Sequence, residues 1–239
     1  MSEYEHTIVG RPDFAMLNLT IQPNQKIFVE PSAMAAMDNH VQMKSQLKGG
    51  LIKSLFRAFG GESLIVNTYW TDTKPGELKL APGPMGDLEH YHLDSSVNLM
   101  LQRGAFVAHG ENVDLTSEFQ GFKGFFSGEG LMLLKASGVG DLFFNTYGGL
   151  LEVDVDGDYV VDTGFIVAFE STLQYETTWL SGLKRGSGLK NLFFGGDGLV
   201  CKFRGRGKLW VQTRRVGSFL SWLTPYRRVQ KNRSGAIPD

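Results

Sequence analysis

The side chains best able to do acid–base or metal chemistry in this sequence are few. Its five histidines are His6, His40, His90, His92 and His109. In His90-Tyr91-His92 the two imidazoles share one face of a strand, half of a metal site that Glu89 or Asp94 could complete. The same spacing is ordinary for polar positions on a strand, and that plainer reading is the one adopted. His109 stands where matching segments of the chain carry Met37 and Phe169, which marks it as a satisfied, semi-buried histidine rather than a catalytic base. The single cysteine, Cys201, lies in the strand-like run Leu199-Val-Cys-Lys-Phe203, where a thiol behaves as a small hydrophobe. One cysteine excludes an intramolecular disulfide framework and a multi-cysteine zinc site, and fits a reducing compartment.

Other motifs fail on their spacing. Asp154-Val-Asp-Gly-Asp158 opens like a calcium loop, but Tyr159 stands where the loop needs glycine and Phe165 where it needs a bidentate glutamate. Gly138-Val-Gly140 and Gly205-Arg-Gly207 lack both the Gly-Lys-Ser/Thr of a phosphate loop and the third glycine of a dinucleotide fingerprint. Hairpin turns account for both. No nucleophile elbow of the Gly-x-Ser-x-Gly type occurs. The expectation is a non-enzyme with no catalytic, metal-binding or cofactor-binding residues.

What positions these residues is an internal repeat. Val29–Met37, Leu101–His109 and Val161–Phe169 each read as a strand end, a small turn residue (Ser32, Gly104, Gly164) and a second apolar run. Further matches follow in register: residues 40–45, 112–117 and 172–177, then Gly61, Gly128 and Gly196, then Gly76, Gly140 and Gly207. The units span about 14–82, 88–148 and 150–214. Within them apolar residues alternate (Leu78/Leu80, Val97/Leu99/Leu101, Val153/Val155, Leu209/Val211), as half-buried strands require. Each unit should hold five or six short strands, with a two-residue hairpin at Asp156-Gly157. Helix is expected only near Leu51–Phe59, Gly182–Phe194 and Gly217–Leu223. The fold expectation is therefore all-β, three modules packed around a pseudo-threefold axis over residues 1–215, followed by a basic amphipathic segment at 216–239.

The triplicated pattern, with its landmarks of the Gly128-Glu-Gly-Leu131 type, resembles the family named for altered inheritance of mitochondria. The resemblance covers about residues 5–215 and implies a fold similar to the tryptophan RNA-binding attenuation protein, a short double-stranded β-helix or β-sandwich module. It implies no activity. No counterpart of the attenuation protein's RNA-contacting set is found, so neither of its ligands is carried over.

Residues 201–239 hold ten basic residues against one acid, while the first 200 hold fourteen against twenty-four. A basic end on an acidic body suits an anionic partner, self-association or a solvated tail. Three loops join base to apolar tips: 48–60 with Phe56 and Phe59, 121–126 with Phe122, Phe125 and Phe126, and 181–194 with Phe193 and Phe194. Together with Trp222, Arg227 and Arg228 they form the candidate docking set. An anionic membrane surface or a protein partner would match it, and a homo-oligomer could bury the same tips. Plugging the ends of their own modules is the rival explanation for the phenylalanines. Nucleic-acid binding through the basic end, or a small ligand held between repeats, are the alternatives. The pI near 6.5 argues against nucleic acid. No apolar run reaches about 18 residues and the start carries acid, so the expected location is the cytoplasm, peripheral at a membrane.

Overall fold

A computed structural model describes residues 2–47, 65–118, 133–179 and 199–227. They form sixteen strands and one α-helix. Strand β1 (Glu5–Val9) precedes six strands of the first unit: β2 (Met16–Ile21), β3 (Lys26–Val29), β4 (Met34–Met37), β5 (Gln42–Leu47), β6 (Ile65–Trp70) and β7 (Gly76–Leu80). The second unit holds β8 (Leu88–Asp94), β9 (Leu99–Gln102), β10 (Phe106–Gly110), β11 (Val113–Glu118) and β12 (Leu133–Asn145). The third holds β13 (Leu150–Asp162), β14 (Ile166–Glu170), β15 (Gln174–Trp179) and β16 (Leu199–Gln212). Helix α1 (Val216–Leu223) closes the chain's described part. The all-β expectation holds. The expected helices over 51–59 and 182–194 lie outside the described residues.

One pairing pattern recurs. β4 lies on β7 with an irregularity between Met34 and Ala36, β10 on β12 with one between Phe106 and Ala108, and β14 on β16 with one between Ile166 and Ala168. Strands β5, β11 and β15 pair with β6, β12 and β16. Each unit joins the next through its strand before the small-residue turn: β3 pairs with β10, and β9 with β14. The matching pair, β13 with β4, is absent among the described residues, so paired strands do not close a ring.

Two turn expectations are corrected. Asp156-Gly157 is not a hairpin: β13 runs straight through it, with Gly157 (φ +109°) opposite Gly205 (φ +117°) on β16. Gly138-Val-Gly140 and Gly205-Arg-Gly207 likewise bend continuous strands instead of ending them. Glycine lets the backbone take these conformations without breaking the ladder. Residues 14–82 turn between β2 and β3 and between β6 and β7, and residues 88–148 between β8 and β9; residues 150–214 run straight at both places, giving four strands where five or six were expected.

The alternation buries one side of most strands, as at Leu17, Leu19 and Ile21. β9 departs from it, with Leu99, Met100 and Leu101 all buried because its two faces pack into different apolar clusters, Leu99 and Leu101 in one and Met100 in another. Three apolar clusters result, centred on Leu19, Tyr69 and Leu78, on Leu101, Phe144 and Trp210, and on Phe169, Cys201 and Phe203. Cys201 is fully buried, and burial pushes its thiol up to about 12.

The charge asymmetry resolves into a ladder between two strands. Arg204 meets Asp158 and Arg206 meets Asp156, each at 2.8 Å, and Lys208 pairs with Glu152. The acids that resembled a calcium loop thus face bases across the β13–β16 pair. Three of the ten basic residues of 201–239 are thus paired with acids across the strands while their side chains stay partly or largely exposed.

Candidate functional site: an aromatic groove beside the C-terminal helix

Two places gather functional side chains, and the first is structural. Asp141, in β12, has a fully buried side chain. Its Oδ1 accepts from His90 Nε2 at 2.9 Å and His92 Nδ1 at 2.8 Å. Its Oδ2 accepts from Ser2 Oγ at 2.6 Å and the amides of Glu3 at 2.7 Å and Tyr4 at 3.1 Å. Sheet register explains the meeting: Asp141 stands opposite His92 in the β8–β12 pair. Burial opposes ionisation of this carboxyl, but donors from His90, Ser2, His92 and Tyr4 outweigh it and hold it well below the usual carboxylate range. The imidazole of His6 lies 4.5 Å from that of His90 between ring centres. The cluster straps the N-terminal segment onto β8 and β12.

Neither candidate third ligand joins His90 and His92. Glu89 accepts from Arg11 at 3.1 Å and Asp94 from the Ser96 amide at 2.9 Å. No group of three or more such ligands able to hold a metal occurs among the described residues. His109 is fully buried, with Nδ1 2.7 Å from the Gly110 carbonyl and its ring stacked on Phe28 at 4.9 Å. Sequence reasoning missed Asp141. The available signal was a lone acid ahead of the apolar run Leu142-Phe-Phe144.

The second place lies where the starts of the three units meet. The Ala15 amide donates to Gly86 O at 2.9 Å, the Gly148 amide to Met85 O at 2.8 Å and the Asp87 amide to Gly148 O at 3.0 Å. The end of β16 joins them: Gln212 accepts from the Tyr147 amide and donates to Gly164 O, both at 2.9 Å. Arg215 reaches Asp162 at 3.3 Å. This anchoring sets α1 beside an open groove of about 630 Å³ lined by Phe14, Met85, Tyr147, Phe165, Phe219 and Trp222, with Asp13, Arg214 and Arg215 among its polar members.

The helix itself is unusual for a solvent-facing element. Val-Gly-Ser-Phe-Leu-Ser-Trp-Leu carries no charge and has no buried residue. Pro225 sits in the turn that follows, and Thr224 Oγ1 donates to Leu220 O at 2.6 Å. Trp222 is 62% exposed, Phe14 72% and Tyr226 72%. A surface helix normally turns a charged face to water, so this one presents apolar area that the described fold does not cover.

Of the sequence-derived docking set, Trp222 lines this groove and Arg227 follows the helix in sequence, both exposed. Phe56, Phe59, Phe122, Phe125, Phe126, Phe193, Phe194 and Arg228 lie outside the described residues. Phe14, Met85 and Tyr147 were missed, each being a single apolar residue in a polar, Gly/Pro-containing loop. No helix among the described residues is long and apolar enough to cross a membrane.

The strand-rich fold belongs to a class of protein already seen by crystallography. An X-ray structure of a Streptococcus pyogenes protein, from a structural-genomics programme, superposes with a TM-score of 0.77 at 23% identity, covering 94% of this chain and 100% of that one. Residues 6–214 match the family described as mitochondrial biogenesis AIM24, and the chain belongs to that family. An uncharacterised protein of Streptococcus pyogenes serotype M6 is 25% identical over 236 residues, 95% of this chain and 92% of its own length. The family match ends just before α1.

Proposed function

We propose that this protein is a non-enzymatic docking scaffold that seats α1 and its groove on an anionic membrane surface. The observation carrying this reading is an uncharged apolar helix with no buried residue, flanked by Arg214 and Arg227. An eight-residue helix is about 12 Å long, so it lies in an interface and does not span one. Exposed Trp222 and Tyr226 suit the headgroup boundary, where an aromatic ring keeps one edge wet. The non-catalytic reading draws on a buried Cys201 and on His90 and His92 both engaged by Asp141. In this reading the body is three related modules of the short double-stranded β-helix type. The recurring strand irregularities and the convergence of the three unit starts support it.

The test is sedimentation with neutral and anionic phospholipid vesicles at low and high salt. Wild type should co-sediment with anionic vesicles, and Trp222→Ser should weaken this at least about fivefold through lost interfacial burial. Because Trp222 is exposed, folding stability should stay within about 0.5 kcal/mol of wild type. Wild type left in the supernatant of anionic vesicles refutes the proposal.

A further inference from the structure

Among the described residues β4 and β13 each have one partner strand, and the fold's own pairing rule says what fits their other edges. In the first internal junction Ala108, His109 and Gly110 of β10 face Val29, Phe28 and Ile27 of β3. In the second, Ala168, Phe169 and Glu170 of β14 face Leu101, Met100 and Leu99 of β9. The irregularities in β4, β10 and β14 align Ala36 with Ala108 and Ala168. Val161 aligns with Val29 and Leu101 in the same frame. The same step applied once more sets Ala36, Met37 and Asp38 against Val161, Val160 and Tyr159.

Within one chain that step is not taken: β4 pairs only with β7, and β13 only with β16, among the described residues. Nor do the two edges cover one another. Met37 is 38% exposed and Val160 51%, whereas their counterparts Phe169 and Met100 are 0% and 7% exposed. All four residues of β4 are exposed, while β10 is buried throughout. An operation that closed after three units would return β13 to the chain's own β4, so this one does not close after three.

We infer that β4 of one molecule pairs antiparallel with the 159–161 edge of β13 in a second copy, continuing the internal junction head to tail. The chemistry agrees. Solvent-facing edges are normally guarded by charge, as β5 is by Lys44, β11 by Asp114 and β15 by Glu176. Met34-Ala-Ala-Met37 and Tyr159-Val-Val161 carry none; in the register above Asp38 meets uncharged Tyr159, and Asp158 and Asp162 flank the β13 segment. The register sets Met37 on Val160, an apolar cross-strand pair with no like charges opposed. Because the two edges differ, the contact is heterologous and adds copies in one direction.

Disulfide trapping tests the register. Chains carrying Met37→Cys are mixed with chains carrying Val160→Cys and oxidised mildly, with buried Cys201 left in place. Directly opposed strand residues stand at disulfide distance, so the mixture should cross-link at least about tenfold faster than either chain alone. It should also outpace Met37→Cys mixed with Leu151→Cys, the out-of-register control. Light scattering gives a second readout: wild type should exceed monomer mass, and Val160→Lys should return it to monomer with an unchanged circular dichroism spectrum. A strictly monomeric wild type, equal cross-linking with Leu151→Cys, or a bond formed within one chain carrying both Met37→Cys and Val160→Cys would overturn the inference.

Discussion

Replacing Asp141 by alanine removes the acceptor shared by His90, His92, Ser2 and the amides of Glu3 and Tyr4. The Ser2 hydroxyl and the Glu3 amide are only partly buried and turn readily to water. The Tyr4 amide bond is buried, and the imidazoles of His90 and His92 are only 21% and 26% exposed. Taking those three as lost at roughly 1 to 1.5 kcal/mol each gives a destabilisation of about 3 to 4.5 kcal/mol. A pH signature separates this from a simple cavity. The folded carboxyl titrates below its unfolded value of about 3.9, so folding favours the ionised form. Its contribution is complete above roughly pH 5 and is lost as pH falls through the unfolded value toward the folded one. Asp141→Asn removes the titration, so its stability should fall less than that of wild type between pH 5 and pH 3. Denaturant midpoints with unchanged slopes, measured for wild type and both variants across that range, make the test. A loss below about 1 kcal/mol for Asp141→Ala, or an acid dependence of Asp141→Asn equal to that of wild type, refutes the reasoning.

The other predictions are simpler. Gly138 has φ +104°, and a Cβ there would stand 2.2 Å from Asn112 O. Gly138→Ala should therefore cost at least about 2 kcal/mol, read as a lower melting temperature. Cys201 should resist an aromatic disulfide reagent at pH 8 in the native state and react promptly in denaturant, since burial holds its thiol near 12. Prompt native-state labelling would contradict the buried placement.

The small-residue landmarks were legible because each reports a local requirement of the chain. Ser32, Gly104 and Gly164 stand at the turns before β4, β10 and β14, where the chain passes from one strand to the next. The ends of strands were harder to read. Asp156-Gly157 has hairpin chemistry, but its neighbours find partners along the whole of β16, so the ladder continues and glycine only bends it. Propensity names residues that permit a turn, and tertiary pairing decides whether the turn is made. Asp141 escaped notice for a related reason. Its meaning depends on His90, His92 and Ser2, and the last lies 139 residues away in sequence. Trp222 and α1 were legible because amphipathic composition and Pro225 are local signals. Phe14 and Met85 gain significance only because the unit starts converge.

The ladder on β13 and β16 changes what the basic end of the chain does. Arg204, Arg206 and Lys208 already face Asp158, Asp156 and Glu152, and Arg215 reaches Asp162. A phosphate surface would have to compete with those carboxylates for the same guanidinium and ammonium groups. Near α1 the remaining attraction comes from Arg214 and Arg227, with Arg228, Lys231 and Arg233 following in the sequence. At about 1 kcal/mol per basic residue near an anionic leaflet, these give a few kcal/mol that added salt screens. The area of Trp222, Leu220, Phe14 and Tyr226 answers to no such screening. Docking should therefore weaken with salt without vanishing, leaving a residue that depends on Trp222. A surface held by ten basic residues would instead release almost completely. The pairing of β13 with β16 thus moves the expected mechanism from electrostatic capture toward insertion of an aromatic helix face.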